Sequence, residues 1–364
     1  MGHVISSRRA QQITIDGKSL IIFSSNDYLG LSHHPEVLKV AAEAADKFGL
    51  GTGGAPGTSG TTSIHLGLAN EIARFKNRQE AVIFPSGYAA NIALHQSLAG
   101  DDTIFFSDER NHPSTADGIR LSGCAKQVYR HLDFDHLETL LKQTKQPRRI
   151  VTTCSVFTID GAICPLNELM TLKNRYGFLL ILDEAHGTGC LGKNGRGLEE
   201  MYELDGAADF IMGTFSKALG SQGGFLAYSK EAEKLLSLPL RAYEYSTSIS
   251  APLAAASLKA LSLLESRPEL VAAMQANITR IYESLQKDGC ELNGSGRHIV
   301  NIYFKNQEDT LKAAGLLFEN GYLVIPINIS DRWGLRLTAM ATHTHEEISA
   351  FCHSLAQINR QLHG

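Results

Sequence analysis

No stretch of this 364-residue chain is long and apolar enough to span a bilayer, and its first residues carry no signal-type apolar core. A membrane protein is therefore not expected, and a cytoplasmic setting is. Neither sign of charge is in large surplus: the net charge is -4 and the pI is near 6.4. That excludes the basic footprint a nucleic acid or an anionic membrane would need. The six cysteines form no CxxC pair, which argues against a zinc site or a disulfide frame and for free thiols in a reducing compartment. No metal is expected. Fourteen histidines are more than usual, but they read as solvated or capping residues. The nucleotide loop GxxxxGK[ST] is missing too. Gly17-Lys18-Ser19 has its ending, yet Gln12 stands where the first glycine belongs. Without that loop, Asp183-Glu-Ala-His186 spells a helicase box with no nucleotide phosphates to serve. Neither an internal repeat nor a low-complexity segment occurs.

What is present is ordinary globular material, 43% hydrophobic and 20% charged. The length exceeds one ordinary core, so two domains are expected. An arm and hairpin over 1–48 turn at Asp16-Gly17 and join a small domain over 251–364. A large domain occupies 49–250, with the boundary near Ser250. From residue 80 short apolar runs at 81–84, 103–106, 149–154, 179–182, 209–212 and 224–228 alternate with amphipathic helices at 88–98, 114–121, 134–141 and 166–176. This alternation predicts an α/β fold with a largely parallel sheet covered on both faces. Ligands of such sheets gather at the carboxyl ends of the strands.

Three polar groups fall at those ends. The first is Met212-Gly-Thr-Phe-Ser-Lys-Ala-Leu-Gly-Ser-Gln-Gly-Gly-Phe225, in which Lys217 sits in a tight turn between two apolar runs. A lysine partly stripped of water becomes a nucleophilic amine suited to a Schiff base, and Thr214 and Ser216 offer hydroxyls to a phosphate. The second is Asp183, which ends an all-apolar strand. Burial demands a cationic partner for it, either the protonated ring nitrogen of a ligand or an arginine such as Arg196. His186 follows within reach of the same ligand face. The third is Ser86-Gly87-Tyr88, where a helix start presents backbone amides to an anion. A phosphate cradle, a ring-nitrogen carboxylate and a Schiff-base lysine together describe pyridoxal 5'-phosphate. A reading from a different class is a nicotinamide-dependent oxidoreductase, from Gly187-x-Gly189-x-x-Gly192 after a strand. Glycine-rich sequence follows it where a helix should begin.

Ser25-Asn-Asp-Tyr-Leu-Gly-Leu31, Ser86-Gly-Tyr-Ala-Ala-Asn91, Asn111-His112, Phe157-Thr-Ile-Asp-Gly161, Asp183-Glu-Ala-His-Gly-Thr-Gly189, Gly195-Arg-Gly197, Gly213-Thr-Phe-Ser-Lys-Ala-Leu-Gly220, Tyr245-Ser-Thr-Ser248 and Leu335-Arg-Leu-Thr338 stand in one order. In these motifs, from Arg8 to the C-terminal helix, the chain resembles the α-oxoamine synthases. Those are pyridoxal-phosphate acyltransferases of the aspartate-aminotransferase-like fold (fold type I), with a largely parallel central sheet and a smaller α+β domain. The resemblance implies that Lys217 carries the cofactor and that Asp183 keeps its pyridine nitrogen protonated. It implies that His186 and Thr158 bond the phenolic oxygen and that His112 stacks on the ring. Gly87, Tyr88, Thr214 and Ser216 would surround the phosphate with Thr247 from a neighbouring subunit, which implies a homodimer. Arg336 would grip the amino-acid carboxylate, with Arg8 and Asn26 at the substrate entrance. The bland alternatives are that Arg336 is a surface cation on a strand and His112 a helix cap before Pro113. The implied reaction joins an amino acid to an acyl thioester, carried by CoA or a carrier protein, with loss of CO₂. L-alanine with a pimeloyl thioester is the expected pair, and glycine with acetyl-CoA the nearest competitor. Two positions depart from the family pattern. Asn328 stands where an arginine precedes a Pro-Pro-Thr run in biotin-pathway members, leaving Ser330 or Arg332 to substitute on the acyl side. Cys154 stands where glutamate is common.

Overall fold

The computed structural model describes residues 4–293, 298–329 and 332–363. They pack into two units, the larger from Pro35–Phe157 and Ile163–Ser266, the smaller from Met1–His34, Thr158–Ala162 and Arg267–Gly364.

The larger unit is built on a seven-stranded sheet in the order Glu80–Phe84, Gly224–Tyr228, Phe210–Thr214, Leu179–Asp183, Arg148–Cys154, Thr103–Asp108, Ala125–Tyr129. Gly224–Tyr228 runs antiparallel to both neighbours, and the other pairings are parallel. Apolar runs with no polar alternation suit strands buried on both faces. Phe105, Ile150, Ile181 and Phe210 are wholly buried among them, packed with Ala90 and Leu94 of the helix Gly87–Ser97. Each such side chain contributes about 1.5–3 kcal/mol by leaving water. The strand Ala125–Tyr129 has no counterpart in the sequence expectation. It lies at the sheet edge with only Tyr129 buried, so its Ala-Lys-Gln-Val-Tyr run carries no apolar signal. Helix starts follow their caps: Ser86 accepts from Ala89 N, and Asp133 accepts from His136 N.

The division differs from the boundaries expected at 48 and 250. The helix Ala251–Ser266 belongs to the larger unit, where it packs on Pro35–Phe48 and Ser63–Phe75. Its buried Ala254, Ala260, Leu261 and Leu264 make it apolar on more than one face, and Lys259 pairs with Glu36 at 2.6 Å.

The smaller unit holds two four-stranded sheets. Ile5–Arg9, Gln12–Ile15, Lys18–Ile22 and Tyr322–Leu323 form one. Asp16 and Gly17, at φ 50° and 76°, make the left-handed turn that the hairpin twist requires. Leu292–Asn293, Ile299–Phe304, Arg332–Thr338 and Ile325–Ile329 form the other. Its Ile302, Leu335 and Leu337 pack with Phe351 and Leu355 of the helix His345–His363.

Candidate active site

Asp183 is the last residue of the central strand Leu179–Asp183, in register with Cys154 on one side and Met212 on the other. It is 5% exposed. Its carboxylate accepts two hydrogen bonds, from Asn91 Nδ2 at 3.0 Å and from the backbone of Ala185 at 2.9 Å. Both donors are neutral. Arg196, the protein cation expected as its alternative partner, pairs instead with Glu200 at 3.5 Å and Asp205 at 3.8 Å. Among the described residues no cation lies within ion-pair distance of Asp183. A carboxylate buried without a counter-charge is costly, so its environment fits a cationic group brought by a ligand.

The other expected residues of the larger unit gather around it. His112 caps the helix Pro113–Ser122 through its own side chain, and its ring meets Tyr88 edge-on at 6.5 Å. Burial pulls the imidazole below its ordinary range; the Asp183 carboxylate opposes that and the Lys217 ammonium adds to it. The same two groups act on Cys154, whose thiol is raised well above its usual range first by burial and then by Asp183, with Lys217 lowering it. Lys217 and Asp183 thus share two neighbours. Lys217 is half-buried in the turn between Phe210–Thr214 and Gly224–Tyr228, and His186 is buried.

A cradle for an anion lies at the neighbouring strand ends. The helix Gly87–Ser97 leaves the N–H groups of Gly87 and Tyr88 without intrahelical acceptors. A Cβ at Gly87 would come within 3.3 Å of Thr214 Cβ, so the helix start and the strand end lie close against each other where residue 87 is glycine. Thr214 Oγ1 donates to Gly223 O at 2.7 Å and accepts from Ser216 N at 3.2 Å. Ser216, exposed, places its hydroxyl 2.8 Å from Thr214 Oγ1. Thr214 therefore orders the turn, and Ser216 is the more open hydroxyl. Thr247 is exposed on the same unit. These donors, the lysine and the unbalanced carboxylate fit pyridoxal phosphate.

Sequence reasoning missed several supporting residues. Asn91 is fully buried and bridges Asp183 and Ser114. A lone amide on the inner face of an apolar helix was the available signal. Glu184, next to Asp183, turns away from the site. It is 1% exposed and accepts from Leu198 N at 2.7 Å, and a Cβ at Gly187 or Gly197 would collide with its carboxylate. Burial raises Glu184 above the usual carboxylate range and Lys76 opposes the shift; burial lowers Lys76 while Glu184 and Glu199 raise it. Lys76 Nζ also donates to Arg196 O at 2.5 Å, and Arg78 pairs with Glu199 at 2.7 Å.

The smaller unit carries the other expected residues. Arg336 is 9% exposed on the strand Arg332–Thr338, so it is no surface cation. Its Nε donates to Thr158 O at 2.7 Å, both terminal nitrogens reach Asn26 Oδ1 at 3.3 Å, and one reaches Tyr28 Oη at 3.4 Å. Among the described residues no carboxylate pairs with it. Arg8 donates to Ser25 Oγ at 2.9 Å and Asp27 Oδ2 at 3.4 Å. Arg332 pairs with Glu291 and lies over the Tyr303 ring at 3.8 Å, so its charge is already engaged. Ser330 lies outside the described residues. Among those residues no cluster of histidine, cysteine or acidic side chains could hold a metal, and no helix is long and apolar enough to cross a membrane.

Residues 18–355 match the aminotransferase class I and II family. The 8-amino-7-oxononanoate synthase of Geotalea daltonii is 36% identical, over 99% of this chain and 93% of its own. The human mitochondrial 2-amino-3-ketobutyrate coenzyme A ligase is 35% identical, over 99% of this chain and 88% of its own. A serine palmitoyltransferase from S. paucimobilis, solved with a PLP–myriocin aldimine bound, superposes with a TM-score of 0.96 at 26% identity, over 100% of this chain and 93% of its own. The chain belongs to the aminotransferase class I and II family, in its α-oxoamine synthase branch.

Proposed function

We propose that this protein is a pyridoxal-phosphate acyltransferase that condenses L-alanine with a pimeloyl thioester, with loss of CO₂, to give 8-amino-7-oxononanoate for biotin biosynthesis. The observation that carries the cofactor is Asp183, a buried carboxylate with only neutral donors around it. The substrate pair is supported by the Geotalea daltonii relative and by other synthases of the same name at 34–37% identity.

Asp183 would face the ring nitrogen, His112 cover a ring face, and His186 and Thr158 take the phenolic oxygen. Gly87, Tyr88 and Ser216 would take the phosphate, ordered by Thr214 and joined by Thr247 of the partner subunit in a homodimer. The bound cofactor supplies an electron sink that stabilises negative charge at the amino acid's α-carbon. The protein's own part is to bind and to move protons. Arg336, held by Asn26, Tyr28 and Thr158 and, among the described residues, paired with no carboxylate, grips the substrate carboxylate. Lys217 would hold the cofactor through its amine, and the same amine would take the α-proton of the amino acid and later return it. Arg8 and Asn26 line the entrance.

A second reading, glycine with acetyl-CoA, has one observation in its favour. Arg332 is engaged by Glu291 and Tyr303, and Asn328 is an exposed amide, so neither offers a ready cation to a terminal acyl carboxylate. Thiol and CO₂ release measured with alanine or glycine against pimeloyl and acetyl thioesters decides. Turnover with alanine and the pimeloyl thioester is expected, and turnover only with glycine and acetyl-CoA would replace the first reading with the second. Absence of a cofactor absorption band that Lys217→Ala alters would sink both.

A further inference from the structure

Four side chains in the larger unit form one directed chain of hydrogen bonds, and its hydrogens can be assigned. Ser114 N lies 3.2 Å from His112 Nδ1. A backbone N–H can only donate, so Nδ1 must accept. The Ser114 hydroxyl lies 2.7 Å from the same nitrogen and must therefore also donate to it. With its proton committed, Ser114 Oγ can only accept from Asn91 Nδ2 at 2.9 Å. The second hydrogen of that amide goes to Asp183 Oδ2 at 3.0 Å. Asn91 and Asp183 are 0% and 5% exposed and Ser114 is 1% exposed, so water does not compete.

We propose that Asn91 and Ser114 are positioning residues that tie His112 to Asp183 and fix His112 as the neutral tautomer with its proton on Nε2. Asp183 Oδ2, as the acceptor of one amide hydrogen, holds the Asn91 amide with its NH₂ turned inward. That orientation leaves the Ser114 hydroxyl no acceptor but His112. With a donor in place of that oxygen, the amide would turn over and draw the hydroxyl away from the imidazole. The hydrogen-bonding group at residue 183 therefore sets that of His112, through two residues that touch no ligand. Four titratable groups bear on His112: Asp183, Lys217 and Cys154 from the strand ends and Tyr88 from the helix Gly87–Ser97. Among the described residues Nε2 has no partner, so the N–H left on His112 is a donor for a ligand. The tautomer stands on the hydrogen bonds alone; its use in the reaction rests on the function proposed above.

Nitrogen-15 spectra of the whole chain labelled at histidine read the tautomer without turnover. They are recorded with pyridoxal phosphate bound and after its removal, with the His112 signals identified by their loss in His112→Gln. An unprotonated Nδ1 and a protonated Nε2 at neutral pH are expected in both forms. A protonated Nδ1 overturns the proposal. Ser114→Ala keeps the backbone N–H but removes the hydroxyl, and should shift the His112 Nδ1 signal, with Ser114→Thr restoring it. Asp183→Asn should shift the same signal through Asn91. Unmoved signals in Ser114→Ala and Asp183→Asn overturn the coupling. Should the variants not fold, the wild-type spectrum still decides the tautomer.

Discussion

Asp183 and Glu184 are adjacent, both acidic and both buried, and the protein treats them in opposite ways. Asp183 faces a set of neutral donors and has no ion-pair partner among the described residues. Glu184 points to the other side of the same turn, toward Lys76, where glycines at 187 and 197 make room for its carboxylate. Opposite charges meet on that side: Arg78 pairs with Glu199 and Arg196 with Glu200, and Lys76 and Glu184 each oppose the shift that burial imposes on the other. A buried charge matched by the protein holds the fold, and one left unmatched waits for a ligand. Arg336 repeats the unmatched case in the smaller unit with opposite sign.

The sharpest way to break this comparison is to neutralise each acid in turn. Asp183→Asn should lower turnover by about 10²–10³-fold, as loss of a preorganised electrostatic group does, while thermal stability holds or rises. A melting temperature that falls with activity would show Asp183 to be structural after all. Glu184→Gln should do the reverse. Leaving Lys76 buried without its partner should destabilise the protein by about 3–5 kcal/mol in denaturant titrations, with turnover per folded molecule nearly kept. The double variant Lys76→Met with Glu184→Gln should recover much of that loss, and failure to recover it would argue that the two do not act as a pair. Arg336→Lys keeps the charge but loses the planar fork. A rise in the KM for the amino acid worth about 1.5–3 kcal/mol is expected in steady-state kinetics, with little change in KM for the thioester.

The smallest effect contrasts the two units through pH. His95 in the larger unit and His343 in the smaller are both held down to about 4 by burial. Their unfolded pKa is higher, so the unfolded chain binds the proton first. Stability is whole above the ordinary imidazole range and falls as pH drops toward 4, by at most about 3 kcal/mol for each group. Melting temperatures between pH 7 and 4.5 should show this slope, and His95→Asn should flatten it by one proton. An unchanged slope in that variant would place the acid sensitivity elsewhere.

Much of the site was legible because strand ends announce themselves. Asp183, Thr214 and Lys217 each stand at or after the end of an apolar run that reads as a buried strand, and the sheet register brings Cys154 and Met212 beside Asp183. Ser86 and His112 were readable as helix caps. The strand Ala125–Tyr129 was not, because an edge strand needs no apolar pattern. That Pro35–Phe48 and Ala251–Ser266 belong to the larger unit is not legible, because an apolar helix surface says that it is buried but not against what.

Most strands and helices of the larger unit, and the placing of Lys217, Asp183 and Ser86 at strand ends, are legible in the sequence, since each depends on residues close together in the chain. Which charges are balanced is not. Asn91 meets Asp183 across 92 positions, and Arg336 meets Thr158 and Asn26 across 178 and 310. Only packing brings such pairs within the 3 Å or so at which a hydrogen bond forms. The partners of a buried charge, and so whether it serves the fold or the chemistry, are therefore properties of the tertiary structure.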